Sequence, residues 1–321
     1  MAEYKGIHGT KVQNYTSDPT NPIIGQVWYN ETSQTMKVQS VTTTGAWATG
    51  GNLNDGRNAG GSAGTQSGAL FFAGDPPSAG TTANTESYNG SSWTEVNDLN
   101  TAGRETFTGL GLTNTAALCV GGNSRPGLVE SWDGTCWTAV NNLNSSRSTG
   151  GGAGSQTSAL AFGGSGATGA TESWNGTSWT EVNDLNTGRS DFPGGSGTDN
   201  TAAICAGGYT TVNIANVENW NGTCWSEVND LNVAKRGLGS ARQTSSSTIV
   251  FGGVAGSPLA TAESWNGTSW TEVADLSAAR NQIGGAGSSN ASAIAFGGDL
   301  VTTTDEWTGP GVPQTKTITS S

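Results

Sequence analysis

A stretch of fourteen residues recurs along almost the whole of this 321-residue chain, and this repetition limits the possible folds more than any other feature. Residues 172–185 read ESWNGTSWTEVNDL, and further copies begin at Glu86, Glu130, Glu218 and Glu263, with a broken copy at Glu306. The second tryptophan recurs at intervals of 42 to 46 residues, at Trp47, Trp93, Trp137, Trp179, Trp225 and Trp270. A period of this length is typical of propellers, solenoids and other repeat arrays.

The centre of each copy predicts a β-hairpin. Asn175-Gly176 lies between two short alternating runs, which favours a two-residue type I′ turn. In that register Trp179 faces Glu172, and the indoles of Trp174 and Trp179 lie on one side of the hairpin. Each indole can bury on the order of 200 Å². We therefore expect the tryptophans to pack between neighbouring units.

The remainder of each period predicts two further strands. An arginine and a glycine-rich run follow the hairpin, and then comes an apolar strand that ends in small residues, as at Gly163-Gly164. A variable loop leads back to the glutamate that begins the next hairpin. The recurring arginines are Arg57, Arg104, Arg147, Arg189, Arg236 and Arg280. One unit thus contains four short strands.

This order of features resembles the kelch repeat, which is marked by Gly-Gly after its second strand, then an aromatic residue and a tryptophan at fixed spacing. The resemblance covers residues 42–309 and implies a propeller with one blade per copy. After Trp307 the sixth copy lacks its tryptophan strand. Trp47 lies one period before Trp93, and neither an apolar Gly-Gly strand nor an aromatic strand precedes it. We therefore predict an all-β, six-bladed kelch-like β-propeller with four-stranded blades, the last of them closed by the N-terminal strand around Trp47.

Residues 1–41 lie outside the repeat and are expected to form an N-terminal anchoring segment. Residues 25–30 and 35–39 alternate in polarity around a four-residue turn, which predicts a short β-hairpin. Two prolines within residues 14–22 oppose regular structure there. Because a small hairpin is marginal alone, it needs another surface to pack on. Residues 310–321 are expected to be a C-terminal tail.

The hairpin sequence GQVWYN, residues 25–30, resembles N-terminal pieces of bacteriophage structural proteins. Together with a kelch-like array rich in Gly, Ser and Thr, it resembles virion proteins of marine tailed bacteriophages. The resemblance implies synthesis in the host cytoplasm, location in the virion and multiple copies on a symmetric particle. It also implies that Trp28 and Tyr29 take part in virion anchoring.

Composition excludes several classes of function. The formal net charge is −12, and no basic stripe exists, so nucleic acid is not an expected partner. No run of 18 apolar residues occurs and the N-terminus has no apolar signal-like region, so neither secretion nor membrane insertion is expected. Cys-x-x-Cys spacing is absent. We expect buried free thiols at Cys119, Cys136, Cys205 and Cys224.

The residues that recur are better suited to structure than to catalysis. The single histidine, His8, lies outside the repeats, which excludes the two-histidine copper site of galactose-oxidase-like propellers. Arginines that recur at one position are typical of structural residues, and we expect the recurring glutamates to pair with them or to accept backbone hydrogen bonds. Turn capping, not calcium binding, is expected of Asp98, Asp184, Asp230 and Asp275. We predict no enzyme activity, cofactor or metal.

Binding residues are expected where the copies differ, in the loops of 7 to 11 residues that precede the glutamates. The candidates are Asp75, Arg125, Tyr209, Asn213 and Asp299. The predicted function is a non-catalytic tail, fibre or capsid-attached component of a bacteriophage virion. It would bind other virion proteins through its N-terminal segment, and a host-surface glycan or protein through these loops. The alternative is a carbohydrate-binding or glycan-hydrolysing propeller.

Overall fold

The computed structural model describes residues 12–41, 44–77, 82–104, 108–122, 126–148, 150–191 and 195–318. These residues form 28 strands and no helix, so the prediction of an all-β chain is confirmed. The strands make up seven four-stranded sheets. Residues 46–308 form one compact unit, and residues 1–45 together with 309–321 form a second.

Five sheets of the 46–308 unit are each built from one continuous copy of the repeat, with antiparallel strands in chain order. Sheet I contains β5 (Gly61–Thr65), β6 (Gly68–Phe72), β7 (Thr85–Tyr88) and β8 (Trp93–Val96), and sheet II contains β9 (Thr108–Thr113), β10 (Ala116–Val120), β11 (Val129–Trp132) and β12 (Trp137–Val140). Sheet III contains β13 (Gly151–Gly154), β14 (Ala159–Phe162), β15 (Thr171–Trp174) and β16 (Trp179–Val182). Sheet IV contains β17 (Gly195–Asp199), β18 (Ala202–Ala206), β19 (Val217–Trp220) and β20 (Trp225–Val228), and sheet V contains β21 (Gly239–Ser240), β22 (Thr248–Phe251), β23 (Ala262–Trp265) and β24 (Trp270–Val273).

Sheet VI combines the two ends of this unit. It consists of β25 (Gly284–Ser289), β26 (Ser292–Phe296), β27 (Thr304–Thr308) and β4 (Ala46–Thr49). Trp47 lies opposite Trp307 across the β4–β27 pair. Its ring centroid is 5.3 Å from that of Trp307 and 5.2 Å from that of Phe251 in sheet V. The strand around Trp47 therefore occupies the fourth position of the sixth sheet.

Apolar side chains pack between each sheet and the next in the order I to VI, and also between sheets VI and I. Between sheets II and III, Trp174 and Trp179 pack with Leu110, Leu118 and Val120. The two indole centroids are 5.1 Å apart. Burial of about 200 Å² per indole is worth roughly 5 kcal/mol at 25 cal/mol per Å². The tryptophans therefore supply much of the attraction between sheets that are otherwise rich in Gly, Ser and Thr.

The first strands of neighbouring sheets approach closely because glycine occupies their points of contact. A Cβ on Gly109 of β9 would lie 2.3 Å from the backbone nitrogen of Ser62 in β5. Hydroxyl groups add hydrogen bonds between sheets: Ser62 Oγ donates to the Gly285 carbonyl at 2.8 Å, and Thr108 Oγ1 donates to the Gly150 carbonyl at 2.9 Å. Packing of backbone against backbone thus explains the glycine-rich runs.

The hairpin turns are centred one residue later than predicted. Trp174 lies directly opposite Trp179, so the turn is centred on Gly176 and Thr177. Asn175 Oδ1 accepts hydrogen bonds from the backbone N–H groups two and three residues later, both at 2.9 Å, and Gly176 alone of the two predicted turn residues has positive φ, at 92°. The type I′ prediction was wrong because the asparagine side chain takes over part of the turn's hydrogen bonding. Both indoles nevertheless lie on one side.

The second unit contains one sheet in the order β1-β2-β3-β28. Its strands are β1 (Gln13–Tyr15), β2 (Val27–Asn30), β3 (Thr35–Val41) and β28 (Pro313–Thr317). Strands β2 and β3 form the predicted antiparallel hairpin. Two strands were not predicted: β28, which pairs antiparallel with β3 where a C-terminal tail was expected, and the short parallel strand β1. Residues from both ends of the chain therefore belong to one sheet.

Asp18 organises the side chains of this second unit. Its Oδ1 accepts hydrogen bonds from Trp28 Nε1 at 3.0 Å and Asn30 Nδ2 at 2.7 Å, and its Oδ2 accepts one from Lys37 Nζ at 2.8 Å. These bonds, with that from Lys37 the strongest influence, lower the pKa of Asp18 to about 2. The predicted anchoring residue Trp28 is fully buried and Tyr29 is half-buried. Trp28 therefore offers no exposed surface to a partner.

Candidate binding face and the buried charge pairs

Each sheet of the 46–308 unit contains a buried pair of opposite charges. In sheet IV, Arg189 Nη2 lies 2.5 Å from Glu218 Oε1 and both side chains are fully buried. The other pairs are Arg57–Glu86 (2.9 Å), Arg104–Glu130 (3.1 Å), Arg147–Glu172, Lys235–Glu263 (2.9 Å) and Arg280–Asp305. Each pair joins the chain that enters a sheet to the third strand of that sheet. Removal of one partner would leave an uncompensated charge in the interior, so both contribute to the fold.

Each glutamate also accepts hydrogen bonds from the segment that leads into its sheet. Glu218 Oε2 accepts hydrogen bonds from the backbone N and the Nδ2 of Asn186 at 2.7 and 3.0 Å, and Oε1 accepts one from Thr187 N at 3.1 Å. Arg189 Nη1 donates to the Asn216 carbonyl at 2.6 Å. Asparagines in equivalent positions bind the other glutamates at Asn54, Asn100, Asn144 and Asn232. These carboxylates thus help to hold the loops between sheets.

In sheet V the buried cation is Lys235, and the predicted series had named its neighbour Arg236. Lys235 Nζ lies 2.9 Å from Glu263 Oε1, and both side chains are buried. Arg236 points to the surface instead. The prediction was made from the residue type, because arginine recurs in the other copies. The sequence spacing from the preceding leucine instead places the lysine at the interior position. This substitution leaves Arg236 free for a different role.

In sheet VI the buried acid is Asp305, and the predicted series had named Glu306. Counted back from the tryptophan of the third strand, Asp305 occupies the place that Glu172 has in sheet III. It pairs with Arg280. Glu306 accepts a hydrogen bond from Tyr88 OH in sheet I at 2.5 Å instead. Burial, followed by this bond, raises the pKa of Tyr88 to about 12.

A chain of backbone hydrogen bonds connects several sheets near these pairs. Two residues after the buried cation, Ala59, Asp191, Gly237 and Gln282 have φ of 52°, 55°, 62° and 52°. Ala59 N donates to Gln282 O at 3.1 Å, Gln282 N to Gly237 O at 2.8 Å, and Gly237 N to Asp191 O at 2.8 Å. The corresponding residues of sheets II and III, Thr106 and Thr149, lie outside the described residues. The sequence does not indicate this feature, because alanine and glutamine do not favour the left-handed region.

The predicted loop residues lie beside this hydrogen-bonded chain. In sheets I, IV, V and VI, the residue after the Gly-Gly or Ala-Gly pairs through its backbone with the residue after the buried cation. The pairs are Asn58–Asp75, Ser190–Tyr209 and Arg236–Val254, with a single backbone hydrogen bond at Asn281–Asp299. We call these four pairs, with Asp191, the loop face. Arg125 was also predicted to bind a partner and lies outside the described residues. The loop face brings Asp75, Tyr209 and Asp299 to equivalent positions in sheets I, IV and VI.

Arg236 and Tyr209 form the most distinctive contact of the loop face. Arg236 Cζ lies 4.3 Å from the centroid of the Tyr209 ring, and Arg236 Nη1 lies 3.7 Å from Asp191 Oδ2. Burial raises the pKa of Asp191, although the charge of Arg236 opposes the rise. Asn213 Nδ2 donates to the Val254 carbonyl at 3.0 Å and so fixes the loop that carries Tyr209. A cation over a ring at an exposed site is worth about 0.5–1 kcal/mol, which favours this arrangement of the three side chains.

Arg236 also differs from the other cations around it. Among the described residues of the 46–308 unit, the remaining arginines and the lysine are buried. The Arg236 side chain is 36% exposed. It therefore supplies positive charge to the surface of a chain whose formal net charge is −12.

No family model and no curated protein matches this chain. The assignment of function therefore depends on the residues themselves.

Other predicted sites have structural surroundings. Asp98 Oδ1 and Asp184 Oδ1 accept hydrogen bonds from the backbone N–H groups of Thr85 and Thr171, both at 3.1 Å. Among the described residues, no group of three or more His, Cys, Asp or Glu side chains is arranged to hold a metal ion. The described chain also contains no helix with the length and hydrophobicity needed to cross a bilayer.

The four cysteines are free thiols in two environments. Cys119 and Cys205 are buried, and burial raises the pKa of each thiol to about 12. Cys136 and Cys224 are exposed in hairpin turns, so the prediction that all four are buried was wrong for these two. Asp133 accepts a hydrogen bond from Cys136 Sγ and raises the pKa of that thiol.

Proposed function

We propose that sheets I to VI are the blades of a closed six-bladed kelch-like propeller. Three observations support the proposal: the six apolar contacts include one between sheets VI and I, Ala59 of sheet I bonds to Gln282 of sheet VI, and β4 completes sheet VI. Closure of this kind protects strand edges that would otherwise pair with other chains.

Closure can be tested by a cross-link between the two ends of the unit. Ala48 and Glu306 are register partners, and such partners lie within the Cα separation that a disulfide spans. In a chain with Cys136 and Cys224 changed to Ser, A48C/E306C is expected to oxidise to a species of higher electrophoretic mobility. The out-of-register control A48C/D299C should not. Equal oxidation of both variants, or of neither, would contradict the proposed closure.

We propose further that the protein is a non-catalytic binding component of a bacteriophage virion. The observation that carries the binding role is the loop face, where Arg236, Tyr209 and Asp191 stand on a rigid scaffold of repeated sheets. Support for the virion role comes from the GQVWYN hairpin of the second unit. Ile23 and Ile24 of that unit are 73% and 64% exposed, and they suit attachment to a virion protein better than the buried Trp28 does.

The glycan-binding alternative differs in the surface that it requires. An open groove of about 620 Å³ between sheets III and IV is lined by Glu181, Asp184 and Thr223, which offer hydrogen bonds to a sugar. Trp220 in its wall is only 2% exposed, so the groove presents no aromatic face for stacking. The loop face, with its partly exposed tyrosine, is the better candidate for a glycan as well as for a protein.

Two experiments test the proposed role. Mass spectrometry of purified particles from an infected culture should return peptides of this chain, and their absence would refute the virion assignment. Glycan-array and host-cell binding of the purified chain should fall in R236M and Y209A but remain unchanged in E227Q, a control at an exposed residue of the fourth strand of sheet IV. Turnover of a glycan that is lost with one loop-face carboxylate would instead support the enzyme alternative.

A further inference from the structure

One side chain interrupts a series of glycines in the first strands of the six sheets. The registers between the first and second strands align the six sheets with one another. At one aligned position of the first strand, five sheets have glycine and sheet V has Arg242. The glycines are Gly64, Gly111, Gly154, Gly197 and Gly287. Four of these glycines have φ between 103° and 147°, where side chains are disfavoured. Strand β21 ends early, at Ser240, so the backbone at Arg242 is not held in the same way. A long cationic side chain therefore occupies a position that is glycine in the other five sheets.

Arg242 connects strands from several sheets. Its Nε donates to the Gly285 carbonyl of sheet VI and its Nη1 donates to the Gly109 carbonyl of sheet II, both at 3.0 Å. Its backbone N donates to Gly287 O at 3.2 Å and its carbonyl accepts from Gly197 N at 2.9 Å. The guanidinium thus bonds to the first strands of sheets VI and II, which are not neighbours in the chain and have sheet I between them.

The charge of Arg242 lacks the compensation that the other buried cations have. Six buried cations of this unit each lie beside a carboxylate. Arg242 forms no ion pair with a described residue, and only backbone carbonyls accept its hydrogen bonds. Burial lowers its pKa to about 10, so it is still charged at neutral pH. Buried charges in proteins are ordinarily paired.

The third guanidinium nitrogen remains available to a ligand. Nη2 donates to no described residue, although Nε and Nη1 both do. The side chain retains a 4% exposed fraction, so a small species can reach it. The first strands around it are closely packed, since a Cβ on Gly109 or Gly285 would already lie within 2.7 Å of Ser62 or Ser240 backbone atoms.

We propose that Arg242 Nη2 binds a small monovalent inorganic anion, such as chloride, among the first strands of the six sheets. The anion supplies the negative charge that each other buried cation receives from a carboxylate. Its binding adds to the stability of the 46–308 unit by mass action, because the unfolded chain has no such site. The site is separate from the loop face and independent of the proposed binding role.

Bromide replaces chloride chemically and can be located by anomalous diffraction. Crystals of the full chain grown with sodium bromide are expected to show an anomalous peak within hydrogen-bonding distance of Nη2. In solution at constant ionic strength, replacing gluconate with chloride should raise the midpoint temperature of thermal unfolding. A dissociation constant of about 10 mM would give a rise of roughly 5 °C in 1 M chloride. R242M should lose the chloride-dependent part of this rise, and K316M, a control at an exposed cation of the second unit, should keep it.

Each outcome bears on the proposal. A bromide peak together with a chloride response that depends on Arg242 supports it. A water without anomalous signal, or equal chloride responses in the wild type and R242M, overturns it. A peak without any chloride response identifies an adventitious ion only and also overturns it. If R242M does not fold, the wild-type measurements still decide, and R242K should retain a weaker chloride response because it keeps the charge.

Discussion

Neutralising Glu218 tests whether the repeated charge pairs hold the sheets together. E218Q replaces the carboxylate with an amide of nearly the same shape and leaves Arg189 as a buried cation without its acid. Both side chains are fully buried, so water cannot compensate. Loss of one partner from a buried pair costs about 3–5 kcal/mol. We expect the lower end, about 3 kcal/mol, because Arg189 keeps its carbonyl partners at Thr187, Gly207 and Asn216.

A double-mutant cycle separates pairing from general disruption. R189M should cost a similar amount, because Glu218 keeps N–H donors from Asn186 and Thr187 but loses its cation. The double variant R189M/E218Q should be more stable than the sum of the two single effects by at least about 1 kcal/mol, since it leaves no isolated charge. Unfolding in guanidinium chloride, followed by tryptophan fluorescence, gives the free energies.

The matched control is Glu227, which lies opposite Glu218 on the adjacent strand and is exposed. E227Q should change the free energy of unfolding by no more than about 0.5 kcal/mol. Additive single and double effects, or equal losses in E218Q and E227Q, would show that the buried pair is not what stabilises the loop between sheets III and IV.

Three further predictions follow from other contacts. Asp18 has a folded-state pKa of about 2 against an ordinary value of 3.8, so its contribution to stability is complete above pH 3.8 and is lost as the pH falls towards 2. Carboxyl NMR titration should report this low pKa. D18N should abolish the acid-dependent loss of protection of the Trp28 indole N–H. G109A should destabilise the chain by about 1–3 kcal/mol in chemical denaturation, because its Cβ meets the Ser62 backbone at 2.3 Å. The control G68A has no contact closer than 3.5 Å and should change the free energy of unfolding by no more than about 1 kcal/mol. Similar losses in both variants would refute the packing argument. A thiol reagent at pH 8 should label Cys136 and Cys224 in the folded chain and all four cysteines after denaturation, as counted by intact-mass spectrometry; rapid labelling of Cys119 or Cys205 in the folded chain would contradict their burial.

The strand order was accessible from the sequence because it depends on local periodicity. Spacing between tryptophans, the Gly-Gly pairs and the isolated strand around Trp47 indicated four strands per unit and the placement of β4. Details that depend on one-residue differences were not accessible. Lys235 and Arg236 are adjacent cations, and only the register of the folded chain decides which one faces Glu263.

The candidate site was predictable only in part. Variable loops pointed to Asp75, Tyr209 and Asp299, but the stacking of Arg236 on Tyr209 joins residues from two sheets, and no sequence periodicity reports such a contact. Arg242 was missed for a related reason. A single arginine in a glycine-rich run is unremarkable as sequence, and it becomes informative only when five equivalent positions are seen to be glycine.

Sheet VI determines when this chain can finish folding during its synthesis. The Trp47 indole donates to the carbonyl of Ala274, 227 positions later, and the partner strand β27 is made later still. At about 5–20 residues per second, a ribosome needs roughly 10 to 50 s to make the intervening chain. During that time β4 has no native partner and is accessible to chaperones and proteases. Any transcript that stops before residue 304 therefore yields a product lacking its final strand pairing, which cellular quality control can recognise.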